Sequence, residues 1–557
     1  MRYRIFQARF LLVCFIFSFC SKAGEAPRLF DGMGKHSRKI STQSADAQKY
    51  FDQGLIWLYS FNHDEAIRSL EHAAKLDPKC AAIHWGLAVA HGQHINVPLM
   101  DEAHSKAAWT SLENAKTNLA GASPVETALI RALEKRYVNP ASPPGGKLPL
   151  TFDERMPLER AYADAMAEVF LKFPDDADVA TLYAESLMNL RPWDLYSTGK
   201  NLPRPETAPA LAALEKALAL NPDHPGANHL YIHAVEASTN PEKANVAAER
   251  LRNLVPASGH MVHMPSHIDV RTGRWAMAAE QNRRASAVDE AYRKLSPQQG
   301  LYRLYMAHDD HFLAYTCMML GRKAEALKAA RDMRRKIPDA FVKEMAPFVD
   351  AYTPIESEVM VRFGMWDEIL ASAEPAEFLP VTHALWHFAK ATAHTAKGDL
   401  QKAKASRSDF QKLAAAVPKE HMMVQNPAHR ILEIASLTLD AEIAFREGKV
   451  DDAVASLTKA VAIEDSLRYI EPPDWVQPVR HTLGAVLLAS GRLKEAEEVY
   501  RADLAKWPEN GWALFGLMQT LKKQNSPDAA AVEARFKKAW EHADMMPHAT
   551  CLCVTEK

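Results

Sequence analysis

Cysteine is scarce in this chain: only six of 557 residues. Two of them, Cys14 and Cys20, fall in the apolar stretch near the start, which leaves Cys80, Cys317, Cys551 and Cys553. Four so widely scattered thiols are too few for a disulfide framework, and no CxxCH occurs to attach a c-type haem. Net charge is scarce as well. The 67 basic and 69 acidic residues leave −2, so no basic field announces a nucleic-acid partner. GxSxG, the phosphate-cradling P-loop, the dinucleotide fingerprint and HExxH are all missing, and with them the compact signatures of hydrolase, nucleotide and zinc-protease chemistry. Alternation of the strand type is absent over any useful length.

Long apolar runs are also lacking. The stretch "FLLVCFIFSF" is shorter than the roughly 18 residues that a membrane span requires. Arg2, Arg4 and Arg9 precede or border it, and "SKA" ends at Ala23 with small residues at the cleavage positions. Residues 1–23 therefore read as a secretory signal peptide, with 24–45 as a linker to the mature protein. Phe19 is too bulky to make Cys20 a lipoprotein cysteine. The expected location is periplasmic or extracellular, with no stable membrane anchor after cleavage. Apolar content of 48% beside 24% charged residues suits a soluble, folded chain.

What the chain has in abundance is one helical period. In "FDQGLIWLYSFNHDEAIRSLEHAAKLDP" a small residue stands where two helices would cross, at Gly54; further small residues follow at Ala66 and Ala73, and Pro78 closes the second helix. The pattern recurs with Ala210, Ala217 and Pro222, with Ala244 and Pro256, with Ala278 and Ala285, and with Ala326 and Pro338. Later copies carry Ala403, Ala453 and Ala496 at the first of the paired alanine positions. In most copies a glycine sits five residues before that alanine, where it would close the turn between helices. These residues resemble the tetratricopeptide repeat (TPR), a helix–turn–helix unit of 34 residues. The resemblance runs over about residues 46–545, with departures at 98–160, at 190–208 and around "RKLSPQQGLYRLY". It implies an all-α, right-handed superhelix of TPR type with helical insertions, divided into an N-terminal array (46–298), a C-terminal array (299–545) and a cysteine-containing tail (546–557). More broadly, the chain resembles secreted bacterial TPR-rich proteins.

The period also organises the histidines. His229 and His263 are 34 apart, as are His233 and His267. The TPR resemblance implies that positions 2, 5, 9 and 12 of each first helix line a concave groove. Counting from the prolines puts His229, His233 and Glu236 at positions 5, 9 and 12 of one unit. His260, His263 and His267 fall at 2, 5 and 9 of the next, and His308, His311 and Tyr315 at 2, 5 and 9 of a third. Glu185 takes position 9 of the unit before them. Imidazoles four apart share a helix face, and neighbouring helices pack about 8–10 Å apart, so the rings have the means to converge. Pro265 stands inside the expected first helix at position 7, which predicts either a late start or a kink.

Two readings follow. A groove lined by His229, His233, His263, His267, His311 and Tyr315 would bind a peptide, a protein segment or a small ligand. Alternatively, His229, His233, His260, His263, His267, His308 and His311 would hold a transition metal, with Glu185, Glu236, Asp309 or Tyr315 as candidates for proton transfer. Imidazole suits copper, zinc and iron alike; the interleaved Met261 and Met264 favour copper, and a carboxylate in the set favours iron or zinc. Cys551 and Cys553, near His548, offer either a soft-metal pair or a local disulfide. His84, His91 and His94, and likewise His383, His387 and His394, fall outside the groove positions and read as packing or surface residues. His481 takes position 5 of its own unit, alone and distant.

Overall fold

The structure, a computed structural model, describes residues 26–554 apart from Lys200, Gln298 and Ala351; the expected signal peptide at 1–23 lies outside the described residues. The fold is an all-α array of TPR-type helical hairpins. The only strands among the described residues are Met422–Met423 and Asn426–Pro427, a two-residue antiparallel ladder. None of the described helices is long and apolar enough to cross a membrane.

Small residues explain the hairpins. Helices Ala45–Tyr59 and His63–Leu76 form the first pair, with Ser44 and Asn62 capping their N-termini through side-chain oxygens. A Cβ on Gly54 would stand 2.6 Å from Leu70 Cγ, so only glycine lets the pair close. The period's alanines at Ala66, Ala210, Ala244, Ala278, Ala326, Ala403, Ala453 and Ala496 are all 0% exposed, as the small-residue reading requires. The turn glycines Gly273, Gly321, Gly398, Gly448 and Gly491 all have positive φ, between 69° and 82°. In the first hairpin the same place is held by Phe61, with φ 57°. A non-glycine residue there costs about 1–2 kcal/mol, so something else must hold Phe61 in position.

The expected insertions are helical in the first case and irregular in the second. Helices Glu102–Thr117, Pro124–Leu133 and Phe152–Lys172 occupy much of 98–172. Residues 190–206 form a loop with an isolated bridge between Tyr196 and Pro203.

The chain divides into two compact units: residues up to 268 with 284–303, and residues 269–283 with those from 304 onward. This partition differs from a simple cut after residue 298, for a packing reason. Trp275 donates its indole N–H to the Pro508 carbonyl at 2.8 Å, which assigns the start of helix Trp275–Leu295 to the C-terminal unit. Farther along, the Tyr292 hydroxyl donates to Glu65 at 2.8 Å, within the N-terminal unit.

In the N-terminal unit, the described residues of the expected linker prove to be a strap. They lack regular structure up to Ser44, yet Arg38 pairs with Asp176 at 2.8 Å and Asp178 at 3.1 Å. The Ser41 hydroxyl donates to Glu126 at 2.6 Å, and the Gly32 carbonyl accepts from Ala257 N–H at 3.0 Å. Asp178 also accepts from the Tyr59 hydroxyl at 2.6 Å and from His224 and His36 at 3.1 Å each.

The C-terminal unit has a different polar centre. His481 contacts Asp503 through Nε2 at 2.9 Å and accepts from Arg362 through Nδ1 at 3.0 Å. The Arg362 guanidinium lies 3.5 Å from the Trp512 ring centre. The tail packs here: Thr550 joins the His481 carbonyl and Tyr500, and Cys551 and Cys553 form a disulfide. Bonded to each other, the two sulfurs take the second of the two forms expected of this pair.

Candidate metal centre

The centre is built on two short helices of the N-terminal unit. Pro225–Val235 begins with Pro225 in its first turn and is capped by His224, whose Nδ1 accepts from Ala227 N–H at 3.1 Å. The four-residue spacing puts His229 and His233 on one face. Gly226 lets this helix approach the first hairpin, since a Cβ there would stand 2.5 Å from the Tyr59 ring. The close approach brings the buried C-terminal end of helix Ala45–Tyr59 to His229, and the Tyr59 carbonyl accepts from His229 Nδ1 at 2.7 Å.

Pro265 divides the second element. Gly259–His263 is a helix capped by Ser258, and Pro265–Arg271 continues beyond Met264. Met264 keeps helical angles, and its N–H donates to the His260 carbonyl at 3.0 Å. The chain therefore bends at the proline rather than starting late, and His260 and His263 remain helical.

The bend brings the imidazoles together. His260 Nε2 lies 3.1 Å from His229 Nε2, and one ligating atom each from His229, His233 and His260 fall within 4.8 Å of one another. His263 Nε2 lies 2.7 Å from His267 Nε2. Glu236 spans the group, taking His233 Nδ1 on Oε1 at 2.9 Å and His267 Nδ1 on Oε2 at 2.5 Å. All of these side chains are between 0% and 6% exposed, so a long peptide has no open wall of histidines to lie on.

Tautomers follow from the partners. A carbonyl and an ionised carboxylate only accept, so His229, His233 and His267 carry their protons on Nδ1 and direct the Nε2 lone pairs inward. His233 Nε2 is buried with no hydrogen-bond partner. Burial, with the nearby charge of His233, pushes the His229 pKa well below its usual 6.5. Burial also lowers His233, against the pull of Glu236. For Glu236, burial raises the pKa, but the charges of His267 and His233 and the hydrogen bonds from both outweigh it, and the carboxyl stays below its usual range. Burial thus favours the neutral form of His229 and His233, the protonation state that a metal ion requires of an imidazole ligand.

Sequence reasoning missed the aromatic wall. Phe61 packs its ring 4.5 Å from His229 and 4.4 Å from His94. It also stacks on His233 at 5.9 Å and on His260 at 5.8 Å. Trp193, with φ 56°, stands edge-on to His233 at 5.5 Å. Both aromatics therefore combine a left-handed backbone with contact to the centre, a pairing of strain and site that is common where function resides. The signal was legible: Phe61 stands where the period calls for glycine. His94, read as packing or surface, is 4% exposed and lies 4.4 Å from the His63 ring beside this wall.

Glu185 is half-buried; burial raises it to about 7, with Arg136 pulling down and Glu159 pushing up. Both Glu236 oxygens accept from histidine Nδ1 atoms. His308, Asp309, His311 and Tyr315 lie on helix Tyr302–Met319 in the C-terminal unit. His311 sits edge-on to Tyr352 at 5.2 Å, and burial alone lowers it to about 3. Tyr315 is fully buried against Trp275 and Phe312. His84 donates to or accepts from nothing in the centre and contacts the Pro78 carbonyl at 2.8 Å. His383 pairs with Glu374 at 2.8 Å.

No protein-family profile matches the chain, and no curated protein does. Among solved structures it is similar to the human IFIT1 dimer with m7Gppp-AAAA, at 14% identity over 89% of this chain and 91% of that one, with a TM-score of 0.32. It is also similar to the APC/C hetero-tetramer Cut9–Hcn1, at 14% identity over 88% and 76%, TM-score 0.30. Yeast Tom70 is similar at 12% identity over 88% and 93%, TM-score 0.29.

Proposed function

We propose that this protein is an exported TPR-type scaffold whose N-terminal unit binds a transition metal ion through His229, His233 and His260. One observation carries the reading. Three buried imidazoles converge within 4.8 Å, and His229 and His233 have their Nδ1 atoms already committed to a carbonyl and a carboxylate. Backing partners of this kind fix ring orientation and raise ligand basicity in metal sites. The alternative, a peptide laid across these histidines, needs rings that solvent can reach, and these are buried. Imidazole donors suit copper, zinc or iron. The ion would supply Lewis-acid or redox chemistry, and its open positions would take the small ligand or substrate. Export is supported by the signal-like start of the chain and by the tail disulfide, a bond that persists in oxidising compartments.

The test is elemental analysis by mass spectrometry on protein purified without a histidine tag, beside a His229→Gln/His260→Gln variant. Near-stoichiometric copper, zinc or iron that disappears in the folded variant is the expected result. Wild-type protein that neither carries nor takes up an ion sinks the reading.

A further inference from the structure

A second pair of imidazoles stands beside the first set. His263 and His267 are four residues apart across the Pro265 bend, and their Nε2 atoms face each other at 2.7 Å. Each ring is held from behind. His267 Nδ1 donates to Glu236 Oε2 at 2.5 Å, and His263 Nδ1 faces the Ser266 hydroxyl at 3.4 Å. The ring centres of His233 and His267 are 5.8 Å apart, and those of His260 and His263 are 6.0 Å apart. The two sets are therefore immediate neighbours.

We propose that the N-terminal unit holds two transition metal ions side by side, one by His229, His233 and His260 and the other by His263 and His267, with Glu236 orienting a ligand of each. The inference rests on the metal-binding reading above and extends it from one ion to a pair.

Proton counting supports it. With His229 and His267 protonated on Nδ1, each Nε2–Nε2 contact holds one proton, donated by His260 to His229 and by His263 to His267. Each shared proton marks a point where two lone pairs can meet around a cation. Metal–imidazole bonds of about 2.0–2.1 Å in tetrahedral geometry separate two nitrogens by about 3.3 Å. The observed 3.1 Å and 2.7 Å lie a few tenths of an ångström inside that separation, within reach of small ring rotations. On binding, the Nε2 proton of His260 or His263 is exchanged through solvent for one on Nδ1, so the ring stays neutral and the freed Nε2 lone pair joins the ion.

The geometry of Glu236 makes the sets interdependent. One carboxylate divides its two oxygens between His233 and His267, one ring from each set. It thereby fixes both tautomers at once. Neutralising it loosens both sets. Glu236 is thus a positioning residue, and orienting partners of this kind are worth about 10–100-fold in metal affinity.

Cobalt(II) is a suitable probe, because its ligand-field absorption reports coordination by protein nitrogen and is silent for weakly held surface ions. The full chain, free of any histidine tag, is titrated while that band is followed. The expected end-point is two equivalents, falling to one in His263→Gln/His267→Gln. If circular dichroism shows that the double variant is unfolded, His267→Gln alone serves, with the same expectation. Glu236→Gln is expected to weaken both equivalents by about 10–100-fold. A wild-type end-point of one equivalent, unchanged by loss of His263 and His267, overturns the paired centre while leaving the single site standing. No ligand-field band at all, or a band indifferent to His229→Gln/His260→Gln, overturns both readings.

Discussion

The two units solve the burial of polar side chains in opposite ways. In the C-terminal unit, His481 is closed off: one ring nitrogen meets Asp503 and the other Arg362, and the guanidinium is covered by Trp512. In the N-terminal unit, the histidines are satisfied from behind, with lone pairs left pointing at each other and His233 Nε2 meeting no partner. The first arrangement leaves neither imidazole nitrogen to bind. The second holds donors ready in a dry setting, at the expense of stability. The same unit contains its own control: His224 and His36 meet Asp178 together with Arg38 and Tyr59, a closed hub like that of His481. Buried histidine alone therefore does not mark a site. What marks it is the direction of the uncommitted nitrogen.

The largest expected effect would break the comparison from the C-terminal side. Asp503→Ala strands the groups it pairs and should lower stability by about 3–5 kcal/mol in urea unfolding. His233→Gln in metal-free protein should cost less, about 1.5–3 kcal/mol, since it removes one hydrogen bond to the buried Glu236 carboxylate and a nitrogen that makes none. Equal losses in the two variants would mean that the histidine group is simply another structural hub.

Next in size, zinc at a hundredfold excess over the dissociation constant of the site at His229, His233 and His260 should stabilise the wild type by about 2.7 kcal/mol through that site, an increment that His229→Gln removes. Scanning calorimetry at matched protein concentration measures both. Stabilisation of the variant equal to that of the wild type would place the zinc elsewhere.

Titration gives a third contrast, with opposite signs. Burial lowers His63 in the N-terminal unit from 6.5 to about 4. Its contribution is fully present above about pH 6.5 and is lost as pH falls toward 4, because the unfolded chain binds the proton first. Glu442 in the C-terminal unit is raised by burial from 4.5 to about 8. Its contribution is fully present below 4.5 and is lost as pH rises to 8. Glu442→Gln should therefore be nearly neutral at pH 4.5 and progressively stabilising toward pH 8, and His63→Leu should flatten the acid limb. Stability profiles of either variant that parallel the wild type would contradict these assignments.

The smallest effect tests the turn. Gly398 has φ 82° and open space around it, so Gly398→Ala should cost only the backbone penalty, about 1–2 kcal/mol. That is the strain Phe61 already carries at the equivalent place. Phe61→Gly relieves it, yet should still destabilise the protein and weaken metal binding, since the ring against His229 and His94 is lost. A more stable Phe61→Gly protein with unchanged metal affinity would remove Phe61 from the centre.

Much of the fold was legible because the helical period is a local code. A small residue at Gly54 or Ala66 is demanded by the crossing of adjacent helices, and a positive-φ glycine by the turn between them, whatever lies farther away. Phase also picked out His229, His233, His260, His263 and His267. It picked out His311 equally, which burial alone holds at a pKa of about 3, and nothing in its spacing distinguished it. His94 went the other way: off the groove positions by register, it reaches the aromatic wall because the Phe61 ring stacks on it at 4.4 Å.

The sequence by itself determined the all-α hairpin array, the buried alanines and the histidines that share a helix face, since each depends on residues within a repeat or its immediate neighbour. Only the tertiary structure decided which nitrogens are committed. Tyr59 meets His229 across 170 positions of chain, and Glu236 meets His267 across 31. A tautomer is set by whatever polar group packs behind the ring, and that group is chosen by the packing of distant helices rather than by spacing along one.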